Sequence, residues 1–321
     1  MTSVIVLGGG PDAEREISIQ SATAIHQACL DAGLDARLEI VDRPTPDEIQ
    51  SWECDVVFPA LHGRFGEGGE LQVLLEQAGV AFVGSKAIAS QLAMDKMGTK
   101  RIAIKCSIPT PDAVIFEHAD GNGDGAVCPL ALPVVIKPVS DGSSVGLHLC
   151  FDQQDWDRAS ATVREDAKIN PNRVYMVEQM IPGRELTASV LCDDAGKLRA
   201  LALIEISPAQ GVYDFEAKYA RNDTIYTLNP DLPDETVAGI QEQALRLCNS
   251  LGVRHLARVD FLLSDDGQWT MLELNTMPGF TRTSLMPMAA GESGMGLAQL
   301  CAHLVHCARN EHDISPSVST S

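Results

Sequence analysis

Two neighbouring segments place charged side chains where an apolar core is expected. In Leu256-Ala-Arg258-Val-Asp260-Phe-Leu-Leu263 the charges stand two residues apart, and Trp269-Thr-Met-Leu-Glu273-Leu-Asn275 repeats that spacing. Side chains alternate across a strand, so each pair shares one face. Asp260, Glu273 and Asn275 then form an all-oxygen donor set, which suits a hard cation such as Mg2+ or Mn2+ that shares phosphate oxygens with its substrate. A second constellation is Lys137, at the end of the run Pro133-Val-Val-Ile, followed by the loop Asp141-Gly-Ser-Ser-Val-Gly146. Amide N–H groups and hydroxyls in such a loop can approach phosphate closely, and a neighbouring ammonium offsets its charge. It is not a P-loop, because it lacks G-x-x-x-x-G-K and the helix that follows. Lys137 and Arg258 are cations set in apolar strands, which calls for either an anion in a cleft or an internal salt bridge with Asp or Glu.

Three further stretches carry polar groups of interest. Val177-Glu178-Gln179-Met180-Ile181-Pro-Gly-Arg-Glu185 is a strand running into a Pro-Gly turn, at a crossover where a ligand could lie between units. Tyr213-Asp-Phe-Glu-Ala-Lys218-Tyr219 reads as a surface loop or a lid. Asp120-Gly-Asn-Gly-Asp-Gly125 imitates half of a calcium loop, but Ala131 stands where the bidentate Glu belongs, and no helices flank it. Cys301, His303, His306 and Cys307 imitate a metal site, yet the pattern around them is that of an amphipathic helix, and core packing is the preferred reading.

The elements that must position these groups fall into three units. Residues 1–85 alternate strand and helix: strand 4–7, helix 13–32, strand 36–40, strand 55–59, helix 70–78 and a short strand 80–83. This predicts a parallel sheet with ligands at its carboxyl ends, so the Gly8-Gly9-Gly10 turn and the Leu61–Gly69 loop face one crevice. Residues 86–180 open with one helix over 88–105 and continue with strands at 113–116, 134–137, 147–150 and 175–179. Residues 181–310 hold strands with hairpin turns at Asp193-Asp-Ala-Gly196 and Ser264-Asp-Asp-Gly267, which predict antiparallel pairing, and a long helix over 234–251. The fold class is therefore α/β, turning to α+β in the C-terminal unit. The polar tail 311–321 reads as disordered.

A net charge of −20 over 321 residues argues against nucleic acid or an anionic membrane surface as partner. No apolar run is long enough to span a membrane, and Val4–Leu7 enters its glycine turn without a basic leader, so a cytoplasmic protein is expected. The nine cysteines contain no C-x-x-C pair, as expected for reduced thiols.

Taken in order, Gly8-Gly9-Gly10 with Glu14 and Ser18, Ala60-Leu-His62-Gly63, Met94-Asp95-Lys96, Ile136-Lys137-Pro138 with Gly142-Ser143-Ser144-Val145-Gly146, Glu216-Ala-Lys218-Tyr219, Arg258-Val-Asp260, and Leu272-Glu273-Leu-Asn275-Thr-Met-Pro278-Gly279 with Ser284-Leu285 resemble the D-alanine:D-alanine ligase family over nearly residues 4 to 308. The resemblance implies an ATP-grasp fold behind an N-terminal parallel-sheet domain. It implies that ATP is held between the central and C-terminal units: Lys96, Lys137, Ser144 and Lys218 at the phosphates, Glu178, Gln179 and Ile181 at adenine, Glu185 at the ribose. Asp260, Glu273 and Asn275 would hold Mg2+ or Mn2+. Glu14 would meet the first D-alanine's ammonium and Ser284 with Leu285 the second D-alanine's carboxylate, with His62 nearby. Arg258 and the Gly279 N–H would stabilise the oxyanion, and Glu14, Ser143 and Tyr219 would form a hydrogen-bonded network. The activity implied is ATP-dependent formation of D-alanyl-D-alanine for peptidoglycan, in a homodimer. Tyr219 favours D-alanine over D-lactate or D-serine as second substrate, and a nucleotide-binding regulator that had lost catalysis would be expected to have lost metal ligands or Arg258. Gln179, where relatives often carry Lys or Glu, and Thr281-Arg282-Thr283, where they commonly carry Ser-His, depart from the pattern.

Overall fold

The computed structural model describes residues 1–116, 127–142, 145–209, 223–281 and 283–314. The first unit comprises β1 (Ser3–Gly9), α1 (Arg15–Asp31), β2 (Asp35–Val41), α2 (Pro46–Gln50), β3 (Val56–Pro59), α3 (Gly63–Glu67) and α4 (Glu70–Ala78). Its strands form a parallel sheet in the order β2-β1-β3. The expected fourth strand at 80–83 is reduced to one parallel bridge, Val57 to Phe82, because the chain turns away at Gly84, where φ is +104°. β1 is buried on both faces, as a strand flanked by helices must be.

The second unit begins with two helices, not one: α5 (Ala87–Met94) and α6 (Lys96–Lys105). The break falls at Asp95, which leaves helical geometry and accepts a hydrogen bond from the Gly98 N–H at 3.0 Å. A carboxylate acceptor for the orphan N–H groups of a helix start competes with continuation of the preceding helix. The consequence is positional, since Lys96 becomes the first residue of α6. Next come β4 (Ala113–Ile115), β5 (Val134–Pro138), β6 (His148–Cys150), α7 (Gln153–Ile169) and β7 (Tyr175–Gln179), forming an antiparallel sheet in the order β4-β7-β5-β6. Apolar residues of α5 and α6 turn toward the third unit. Ala93, Ala103 and Ile108 belong to the core of the third unit.

That third unit has β8 (Arg184–Cys192), β9 (Leu198–Ser207), β10 (Ile225–Leu228), α8 (Asp234–Leu251), β11 (Leu256–Leu263), β12 (Trp269–Asn275), α9 (Leu285–Glu292) and α10 (Leu297–Ile314). Its antiparallel sheet runs β10-β9-β8-β11-β12, with both expected hairpins formed. α10 crosses back to the first unit, where Leu300, Cys301 and Leu304 share a core with Ile25, Ala28 and Cys29 of α1. It also runs past residue 310, four residues into the segment expected to be unstructured. Glu311 is held there by Arg254 Nη1 at 3.2 Å and by His255 Nε2 at 3.1 Å. The rest of that tail, like the 120–125 loop, lies outside the described residues. Among the described residues no helix is long and apolar enough to cross a membrane.

Candidate functional site

Two cavities adjoin where the three units meet. The first, of about 260 Å³, is lined by Glu14 and His62 from the first unit, Lys96, Asp141 and Gly142 from the second, and Arg258, Glu273, Asn275, Pro278, Gly279, Ser284 and Leu285 from the third. The second, of about 630 Å³, lies between the two antiparallel sheets and is lined by Val135, Lys137, Leu147, Leu149, Phe151, the Glu178–Glu185 segment, Leu262, Leu272 and Glu273. Lys96, Asp141 and Glu273 face both.

The polar face of β11 and β12 forms as its period predicts. Arg258 lies opposite Asn275, and Asp260 opposite Glu273. Between Asp260 and Phe261 the register shifts, leaving Leu272 as the extra residue. A bulge turns two consecutive side chains toward one side, which explains how Leu272 and Glu273 both line the second cavity. Arg258 donates bidentately to Asp260, Nε to Oδ1 at 2.9 Å and Nη2 to Oδ2 at 2.8 Å, while the Thr187 hydroxyl donates to Oδ1 at 2.6 Å. Arg258 thus makes the internal ion pair and at the same time lines the first cavity.

Lys137 likewise finds an internal partner, and a more elaborate one. Its Nζ donates to Glu178 Oε2 at 2.5 Å, and Lys100 Nζ lies 2.6 Å from Oε1. All three side chains are buried. Burial alone would pull the Lys137 ammonium down, but Glu178, then Glu273 and Glu185, raise it above the ordinary lysine value. Burial would push the Glu178 carboxyl up, and the two lysines hold it below the ordinary range instead. For Lys100, burial outweighs Glu178 and the ammonium is lowered. Two cations on one carboxylate leave a local surplus of positive charge beside the second cavity. Sequence reasoning missed Lys100, which looks like a solvated helix lysine until β7 brings Glu178 against it.

Lys96 Nζ donates to the Asp141 carbonyl at 2.7 Å and lies 3.9 Å from Glu273 Oε2, tying α6 to the start of the glycine-serine loop. The Asp141 carboxylate is paired with Arg173 Nε at 2.8 Å. Glu14 is buried at the mouth of α1. A Cβ at position 142 would stand 2.7 Å from its Oε1, and one at position 63 would stand 2.8 Å from its Oε2, so glycine at both sites lets two loops close on the carboxylate. His62 faces Ser21 Oγ with Nε2 at 3.0 Å and Glu67 Oε1 with Nδ1 at 3.2 Å. At the far wall, Ser284 immediately precedes α9; its Oγ accepts from the Thr281 N–H at 3.0 Å, and a Cβ at Gly279 would meet that oxygen at 2.9 Å. Ser143, Ser144, Lys218, Tyr219 and Arg282 lie outside the described residues. The remaining expected site residues are placed on one or other cavity, Asp260 excepted: it sits beneath Arg258 and does not line either.

The donor set of Asp260, Glu273 and Asn275 fits a hard divalent cation. Asp260 keeps lone pairs beyond those used by Arg258 and Thr187, Glu273 reaches both cavities, and Asn275, which lines the first, offers an amide oxygen.

Comparison with known proteins agrees with this arrangement. A family model described as D-ala D-ala ligase C-terminus matches residues 105–306, and one described as D-ala D-ala ligase N-terminus matches residues 37–85. The chain is 41% identical to a D-alanine--D-alanine ligase of Bordetella petrii, over 94% of this chain and 90% of the relative, and 38% identical to one of Methylacidiphilum infernorum, over 94% of each. Among solved structures it resembles the D-alanine--D-alanine ligase of Bacillus anthracis complexed with ATP, with TM-score 0.80, 25% identity and 98% and 99% of the two chains covered. The ligase of Coxiella burnetii matches with TM-score 0.80, 26% identity and 97% and 95% covered. The architecture of two antiparallel sheets facing across a cleft, behind a parallel N-terminal sheet, is thus the ATP-grasp fold, and the chain belongs to the D-alanine--D-alanine ligase family.

Proposed function

We propose that this enzyme joins two D-alanine molecules with ATP, forming D-alanyl-D-alanine, ADP and phosphate for peptidoglycan synthesis. The observation that carries the reading is the seam: Lys96, Asp141 and Glu273 face both a nucleotide-sized apolar cavity and a polar cavity that collects groups from all three units. A phosphoryl group leaving a nucleotide in one reaches a carboxylate in the other only across that seam.

Adenine lies against Met180, Ile181 and Leu272 and the ribose near Glu185, with the phosphates directed toward Lys137 and Lys96. Asp260, Glu273 and Asn275 would hold Mg2+ or Mn2+, which would supply charge neutralisation for the phosphates. Glu14, gripped by Gly63 and Gly142, binds the first D-alanine's ammonium and orients its carboxylate toward the seam. That carboxylate takes the γ-phosphoryl group, with Lys96 and Lys137 offsetting developing charge. The second D-alanine lays its carboxylate at the N-terminus of α9, where Ser284, Leu285 and the helix dipole favour an anion. Its neutral amine attacks the acylphosphate carbonyl, Arg258 and the Gly279 N–H stabilise the oxyanion, and phosphate departs.

The test is ADP release with ATP, Mg2+ and D-alanine, repeated with L-alanine, D-serine and D-lactate. D-Alanine-dependent release with dipeptide as product is expected. Release indifferent to D-alanine would exclude the assignment, and preference for D-lactate or D-serine as acceptor would revise it.

A further inference from the structure

The cysteine-histidine group singled out in the sequence divides in two once the chain folds. Cys301 turns into the core shared with α1, and the His306 ring meets Asn310 at 2.9 Å on the exposed side of α10. His303 and Cys307, one turn apart on the opposite flank, meet a residue no sequence spacing suggests: Cys192, the last residue of β8, 111 positions earlier than His303. His303 Nε2 lies 3.6 Å from Cys307 Sγ and 3.9 Å from Cys192 Sγ, and all three ligand atoms fall within 4.8 Å of one another.

The two nitrogen–sulfur separations are close to edges of a small tetrahedron. With metal–sulfur bonds of ~2.3 Å and metal–nitrogen bonds of ~2.0 Å, tetrahedral angles put N and S roughly 3.6 Å apart and two sulfurs roughly 3.8 Å apart. A second observation points the same way. His303 Nδ1 lies 3.2 Å from Asp194 Oδ1, the outer carboxylate that fixes the tautomer and aim of a metal-binding imidazole. Asp194 sits in a turn that Asp193 locks, its Oδ1 accepting from the N–H groups of Ala195 and Lys197 at 2.9 Å each. Three ligands and their supporting carboxylate are thus held by the β8–β9 hairpin on one side and α10 on the other.

We propose that Cys192, His303 and Cys307 bind one thiophilic divalent cation, Zn2+, with water in the fourth position and Asp194 holding the imidazole. Two thiolates and an imidazole favour zinc over the hard, oxygen-preferring cation of the catalytic cleft. In the metal-free protein the Nε2 proton is donated to the Cys192 carbonyl at 2.7 Å; zinc takes the place of that proton and of the two thiol protons, which pass to solvent. None of the three residues lines either cavity. The site ties the C-terminal sheet to the helix whose other flank packs on the N-terminal unit, so its role is to fasten the two.

The full-length protein, kept reduced and stripped with a chelator, is titrated with Zn2+ against a chromophoric indicator. One tightly held Zn2+ per chain is expected. The Cys192→Ser/Cys307→Ser double variant should lose it, while a Cys54→Ser/Cys106→Ser control keeps it. X-ray absorption at the zinc edge on the unmutated protein should show two sulfurs and an imidazole nitrogen, which holds even if the double variant folds poorly. A shell of oxygen and nitrogen alone, the absence of tight binding, or unchanged affinity in a folded double variant would overturn the proposal.

Discussion

The two cavities share a wall but are built by opposite means. The second gathers apolar side chains from two facing sheets and holds Lys137, Glu178 and Lys100 buried and ion-paired, two cations on one carboxylate, before any ligand arrives. The first is polar and draws on loops and helix starts from every unit, with Glu14, His62 and Arg258 each already held by protein groups. An apolar slot with a preset field tolerates a large, flat ligand bound mostly by contact area. A polar pocket assembled from three units reads a small zwitterion through a few directed hydrogen bonds. On the proposed function, the division of labour is affinity for the nucleotide in one and selection of the amino acid in the other, with the reaction at the seam.

Glu273 stands on that seam, so Glu273→Gln should cause the largest loss. Removing a carboxylate proposed to hold the metal should forfeit several kcal/mol of charge stabilisation, roughly a 10³-fold fall in kcat, with the melting transition unchanged. A variant that keeps its kcat would remove the seam from the mechanism. Glu178→Gln follows, and its effect is on the fold as much as on ATP. Taking the one carboxylate from between two buried ammonium groups should cost about 3 kcal/mol or more in denaturant unfolding, because both cations are left uncompensated. The pH dependence has a definite sign. Glu178 is held below its ordinary value of 4.5, so its contribution is present above about that pH and lost as pH falls through the lowered value; the variant should lack this part of the acid transition. Glu14→Gln should act on the other cavity alone, raising the KM for the first D-alanine roughly 30-fold for the loss of about 2 kcal/mol of charged hydrogen bonding, with little change in the KM for ATP.

These residues were unequally visible in the chain. The face carrying Arg258, Asp260, Glu273 and Asn275 was legible because a period of two is local, and the structure keeps it. Its neighbour Leu272 was not, since a bulge depends on how two strands pair. That Lys137 and Arg258 needed counter-ions followed from their apolar flanks, but which ones did not: Glu178 lies 41 residues from Lys137 and brings Lys100 with it. The break at Asp95 was written in a capping residue that a search for helical periodicity passes over. α10 outlasts its apolar pattern because Glu311 is anchored by Arg254 and His255, a tertiary contact between segments far apart in the chain that no local pattern announces. Cys192 entered no motif for the same reason.

The mildest prediction tests the apolar side of the comparison. Ile181 is partly buried at the Pro-Gly turn after β7 and lines the second cavity only, together with Leu272 across the cleft. Truncation to alanine removes contact area and no charge, so Ile181→Ala should weaken nucleotide binding by about 1 kcal/mol, roughly a fivefold rise in the KM for ATP. Neither KM for D-alanine nor kcat should follow, because no group at the seam moves and uniform binding energy is all that is lost. If the D-alanine KM rose by the same factor, the cavities would be acting as one cleft closed by a common motion, and the partition of affinity from selection would have to be abandoned.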